Sequence, residues 1–180
     1  MSDFTRYDKQ NAPKASQELL SNIERGFGFI PELFHYMAEA PVTIKAYTQL
    51  DELLKESSLS DQQVQLALLT ASTTNDCEFC KVAHHAMARQ AGVDTDTIKA
   101  IKSGNDPQDP KDRALVQLVR SMVQERGFVP EQIQKNFLDA GLERQQILEL
   151  VLAVSLKTLS NYTNHLTHPE PNPELKAMTE

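Results

Sequence analysis

Between residues 16 and 166 the apolar side chains of this chain recur at three- and four-residue spacings, and no segment alternates apolar with polar over the length of a strand. A helical face needs the first pattern and a half-buried sheet the second. The fold class expected is therefore all-α, a compact multi-helix bundle with essentially no sheet. The punctuation divides the pattern. Leu19, Leu20 and Ile23 open it, and Gly26-Phe27-Gly28-Phe29 breaks it. Pro31 suits the first turn of a helix over roughly 32–39, and Pro41 opens another bearing Ile44, Tyr47, Leu50, Leu53 and Leu54. Ser60 and Gln63 make a capping-box pattern for a helix reaching about Thr74. That helix is apolar on most sides, which predicts burial. Asp76 is the expected cap of the next helix, 77–90, and Gly92 ends it. Helices over 95–102, 111–126, 130–140 and 142–166 follow, with a loop at 103–110.

The organisation expected is an N-terminal arm over 1–15, one helical domain over 16–168 and a proline-bearing tail over 169–180. A faint internal repeat runs through the domain. Gly28-Phe29-Ile30-Pro31-Glu32 echoes Gly127-Phe128-Val129-Pro130-Glu131, and the run from Gln62 to Ser72 echoes that from Gln145 to Ser155. In the second register Cys77 falls opposite Ser160. Duplication of a helical unit and chance likeness between amphipathic helices both account for it.

A net charge of −7 and the lack of a basic cluster argue against nucleic acid or an anionic membrane as partner. The longest apolar stretch, 148–159, is interrupted by Glu149, Ser155 and Lys157 and is too short to span a bilayer. The polar N-terminal residues lack an apolar signal core, so the expected location is cytoplasmic. In a reducing compartment two cysteines three apart suggest redox chemistry or metal binding rather than a structural disulfide.

On a helix turning about 100° per residue, Cys77, Cys80 and His84 share one face, while His85 points away. Cys77 would then sit in the first turn, where free N–H groups and the helix dipole favour a thiolate. His84, a turn beyond Cys80, could relay a proton. Structural zinc is the rival reading. It would need a further ligand such as His165, and such sites usually join two ligand pairs from separate segments. Covalent haem is excluded because Lys81, not a histidine, follows Cys80. His35, His85, His165 and His168 read as structural or surface histidines.

Leu59-Ser60, Leu68 to Ser72, Cys77-Glu78-Phe79-Cys80, Ala83-His84 and Ala91-Gly92-Val93 together resemble the alkylhydroperoxidase D-like branch of the carboxymuconolactone decarboxylase superfamily. Gly28 to Pro31 and Asn161 to His165 resemble its peroxidase-related subgroup. The likeness spans roughly residues 25 to 166, and the CxxCxxxH core is its most specific part. It implies an all-helical homo-oligomer, a trimer or hexamer, that reduces hydroperoxides without a bound cofactor. Cys80 would attack the peroxide, Cys77 would close the disulfide, and His84 would belong to the proton relay. An external dithiol or thioredoxin-like reductant would restore the pair. The family's glutamate, twelve residues before the first cysteine, is here Gln65, which can hydrogen-bond but cannot take a proton at neutral pH. A redox-sensing or assembly scaffold, and general disulfide exchange with little peroxidase activity, are the other readings open at this point.

Overall fold

A computed structural model describes residues 4–179 and gives ten helices and no strand among them. They are α1 (Lys14–Phe27), α2 (Glu32–Met37), α3 (Pro41–Lys55), α4 (Asp61–Thr74), α5 (Glu78–Gln90), α6 (Thr95–Lys102), α7 (Pro110–Gln124), α8 (Glu131–Asp139), α9 (Arg144–Thr167) and α10 (Pro173–Ala177). The all-α class is the one the spacing demands. Its central element is α4, which packs against α5, α6, α7 and α9. Every residue of α4 from Leu66 to Ser72 is buried, so its apolar all-round surface has neighbours on all sides. Its start is the capping box read from the sequence. Ser60 Oγ accepts from Gln63 N–H at 3.2 Å, and Gln63 Oε1 accepts from Ser60 N–H at 2.9 Å.

The apolar interior forms two clusters. The larger gathers α4, α6, α7 and the first half of α9. The smaller gathers α1, α2, the start of α3 and the start of α5, including Cys77, Phe79, Cys80 and Ala83. Residues before and after the main bundle complete this second cluster. Arg6 forms a two-pronged ion pair with Glu32, and Tyr7 N–H donates to the His35 carbonyl at 3.0 Å. At the other end, Asn172 Oδ1 accepts from Glu32 N–H at 2.9 Å, and Leu175 of α10 is buried in the cluster. Residues 1–3 of the expected arm and Glu180 of the expected tail lie outside the described residues.

The repeated GF-hydrophobe-PE segments adopt matching local structure. Gly28 has φ 81° and Gly127 φ 88°, and Pro31 and Pro130 are the caps from which α2 and α8 start. Gly28 caps α1 directly, glycine's ordinary use, whereas α7 is capped by Glu125 and the left-handed Arg126 and Gly127 follow it. No helix among the described residues is long and apolar enough to cross a membrane.

Candidate active site

The break between α4 and α5 makes the site. α4 ends at Thr74 with Asn75 as its cap, Asp76 takes a left-handed φ of 55°, and Cys77 is the cap from which α5 starts. Two sequence expectations are corrected here. Asp76 does not cap α5, because its left-handed backbone turns the carboxylate outward, where it accepts from Lys81 Nζ at 2.9 Å. Cys77 has extended backbone and precedes the helix, so Cys80 is the cysteine within the first turn. The advantage of free N–H groups and helix dipole therefore goes to Cys80.

Both cysteines are free and buried. Opposite them lies the second half of α9. The buried stripe of that helix begins with Leu150, Ala153 and Leu156 and continues as Lys157, Ser160, Asn161 and Asn164. Lys157 is 1% exposed, and its Nζ lies 3.5 Å from Cys80 Sγ and 2.8 Å from His84 Nε2. Asn164 Nδ2 donates to Cys80 Sγ at 3.2 Å and reaches Cys77 Sγ at 3.6 Å. Ser160 Oγ is 3.9 Å from Cys80 Sγ.

This setting separates the two thiols. Cys80 is pulled well below the usual thiol range, first because Cys77 donates its S–H to it. Burial opposes the shift, while the Lys157 charge and the Ser160 and Asn161 side chains favour it. Cys77 is pushed far above that range, first because its S–H is held by Cys80, then by burial and by the negative charge beside it. One proton is thus shared by the pair and resides on Cys77.

His84 also departs from the simple picture of a base touching sulfur. Burial, with the neighbouring Lys157 charge, pushes it well below its ordinary value, so it is neutral. Lys157 donates to Nε2, which leaves the ring proton on Nδ1, where it donates to Gln65 Oε1 at 3.1 Å. The three side chains form a line, Lys157 to His84 to Gln65, and Lys157 stands between the imidazole and Cys80. The structure thus brings together Cys77, Cys80, His84 and Gln65, all named from the sequence. Sequence reasoning missed Lys157, Ser160, Asn161 and Asn164. His85 instead meets Lys102 at 3.1 Å, and His165 is exposed. Among the described residues no group of three or more His, Cys, Asp or Glu side chains is placed to share a metal ion.

A buried lysine costs several kcal/mol of desolvation, on the order of what a neighbouring anion returns. At 3.5 Å and an effective dielectric of about 20, the gross attraction to a thiolate is roughly 4–5 kcal/mol. The pair is therefore weak evidence for stability and stronger evidence for chemistry.

Residues 41–107, from α3 through the loop after α6, match the carboxymuconolactone decarboxylase family model. Over that part of its length the chain is similar to the carboxymuconolactone decarboxylase family. No curated protein matches the sequence significantly. Among solved structures, the chain superposes on a peroxidase-related protein with an alkylhydroperoxidase core from Ralstonia eutropha JMP134, with a TM-score of 0.84 at 19% identity, covering 99% of this chain and 98% of that one. A peroxidase-related protein from Silicibacter sp. TM1040 gives 0.83 at 20% identity, covering 99% and 94%. The debrominase Bmp8 gives 0.80 at 13% identity, covering 99% and 97%. Proteins that share this fold thus carry names that indicate different reactions.

Proposed function

We propose that this protein is a thiol-dependent hydroperoxide reductase working through a Cys77–Cys80 disulfide. The observation that carries the reading is the buried Lys157 ammonium beside Cys80, at the wall of a small apolar chamber. Phe34, Tyr47, Phe79, Ala83 and Leu175 line that chamber together with Cys80, His84 and Lys157. It measures about 30 Å³, room for a group of about the size of a water molecule. A hydroperoxide head fits that scale. A ring carrying several bromines, such as the tribromopyrrole named with one Bmp8 structure, is far larger.

The Cys80 thiolate attacks the terminal oxygen of ROOH and the O–O bond breaks. Lys157 gives a proton to the departing alkoxide, so ROH leaves and Cys80 becomes a sulfenic acid. The Cys77 sulfur then displaces hydroxide from Cys80, its own proton completes a water, and the disulfide closes. A dithiol returns two electrons and two protons, one to Lys157 and one to Cys77. His84 and Gln65 hold Lys157 in line throughout.

Stopped-flow oxidation of the reduced protein by a panel of hydroperoxides tests this, with thiols counted afterwards. Two thiols should be lost per chain, and Cys77→Ser should leave a dimedone-reactive sulfenate on Cys80. Oxidation by diamide but by no hydroperoxide would favour disulfide exchange or redox sensing instead. The protein is further proposed to act as a homo-oligomer. Leu148, Val151, Tyr162 and Leu166 are exposed along the outer side of α9, an apolar stripe opposite the buried one. Light scattering that finds a stable, active monomer of 20.2 kDa would contradict this.

A further inference from the structure

Two cavities border the cysteine pair, and each touches only one of the two cysteines. Cys80 borders the apolar chamber, and Cys77 does not. Cys77 borders a cleft of about 350 Å³ between the start of α5 and the end of α9, and Cys80 does not. Asp76, Glu78, His165, His168 and Glu170 form the sides of that cleft. The carboxylates are largely exposed, at 88% for Asp76, 76% for Glu78 and 92% for Glu170. Lys81 pairs with the first two, and Lys176 lies 3.9 Å from the third. Buried Asn164 also borders the cleft, and its Oδ1 has no hydrogen-bond partner among the described residues.

We propose that this cleft is the entry for the reductant, a dithiol on a neutral or cationic carrier, which attacks Cys77 while peroxide reaches Cys80 from the other side. The inference rests on the thiol-redox reading of the pair and adds the partner's route and chemistry. The chamber holds little more than one small group, whereas the cleft has room for a dithiol. Leaving-group chemistry selects the same sulfur. Attack on Cys77 expels Cys80, the thiolate that Lys157 and Asn164 stabilise, and the lower the leaving thiol's pKa the faster it departs. Attack on Cys80 would instead expel Cys77, the poorer leaving group of the two.

The exchange balances in two steps. The incoming thiolate bonds to Cys77 Sγ, the Cys77–Cys80 bond breaks, and Cys80 leaves as thiolate. The second thiol of the reductant then attacks the reductant sulfur held on Cys77. The reductant departs as a disulfide, and Cys77 takes up a proton. Asn164 Oδ1 is an acceptor beside this path for the S–H of the reductant's second thiol. Three carboxylates against two lysines give the rim a negative balance, which disfavours anionic thiols.

The test starts from full-length protein oxidised with diamide, so it does not depend on peroxide activity. The disulfide is opened with 2-mercaptoethanol in the presence of iodoacetamide, and the adducts are located by mass spectrometry. The expected product carries mercaptoethanol on Cys77 and the alkyl cap on Cys80. The reverse placement overturns the proposal. His165→Trp narrows the cleft from an exposed helical position. It should slow reduction by dithiothreitol several-fold and leave the rate of peroxide oxidation unchanged. Equal slowing of both half-reactions would refute separate routes. Cysteamine should reduce the protein faster than 3-mercaptopropionate, and Glu170→Lys should narrow that ratio. A ratio indifferent to Glu170→Lys would refute the charge preference. Adducts on Cys77 in a protein that no hydroperoxide oxidises would sustain the route and defeat the peroxide reading.

Discussion

α4 and α9 begin alike and end differently. In each, a glutamine at the third helical position returns to the backbone N–H of the cap, Gln63 to Ser60 and Gln146 to Glu143. Each then buries apolar side chains in the larger cluster. After α4 the chain breaks at Asp76 and restarts, while α9 runs unbroken for 24 residues. With Gln62 set against Gln145, Cys77 falls opposite Ser160, and in the structure Ser160 lies beside Cys80. The break gives one helix start at which a thiolate is favoured. The unbroken helix carries a rigid row of polar groups, Lys157, Ser160 and Asn164, up to that start. One region supplies the nucleophile and the other the charge that activates it.

The sharpest way to break this division of labour is to remove the charge. Lys157→Met keeps the length and apolar stem of the side chain and deletes the ammonium. Cys80 loses its cation and its proton donor, so peroxide oxidation should slow by about 10²-fold or more. Stability should hold or rise, since replacing a buried charge by a packed apolar group is often neutral or favourable. Urea unfolding and stopped-flow oxidation on the same samples check both halves. Unchanged reactivity would remove Lys157 from the account.

That lysine also shows where the sequence was hard to read. The three- and four-residue spacings give the helices, and CxxCxxxH gives Cys77, Cys80 and His84, because the nucleophile and its neighbours are close in the chain. Lys157 is far away in sequence and reads as a polar interruption of an apolar run. The available signal was periodic. Positions 150, 153, 157, 160 and 164 lie on one side of a helix, and its stripe turns from apolar to polar while remaining buried. Asp76 failed as a cap because a left-handed residue ahead of Cys77 moved the helix start on by one residue, which no composition rule shows.

A smaller effect tests the line through His84. In Gln65→Glu the carboxylate would face the His84 Nδ1–H now held by the amide. It favours a proton on the imidazole and so makes Nε2 a better acceptor from Lys157. Peroxide oxidation should rise by no more than about tenfold, well short of the roughly 10²–10⁴-fold of a positioned base, because Cys80 is already a thiolate and burying a carboxylate has its own cost. The comparison belongs on protein shown to be folded, across pH 6 to 9. No increase at any pH would mean that Gln65 already does what this position requires.

The smallest effect concerns the break itself. Asp76→Gly relieves a left-handed aspartate and loses only an exposed contact with Lys81. Stability should hold or rise slightly, with peroxide reactivity retained. Asp76→Val should be the worse of the two, because a β-branched side chain is poorly tolerated at this φ. Thermal unfolding of the two variants side by side gives the order. Equal stability would mean that α5 does not need the left-handed turn.

The central claim is that Cys80, not Cys77, is the stabilised thiolate of the reduced protein. The carbon-13 shifts of the two cysteine Cβ atoms, followed as pH is lowered from neutrality, test it in unmodified protein. A depressed value means the charged form is already present at pH 7 and is lost only as pH falls. Cys80 should show a thiolate shift at pH 7 and gain its proton on the acid side, while Cys77 stays a thiol throughout. A Cys80 that remains protonated until the ordinary thiol range, or a Cys77 that titrates first, would contradict the account.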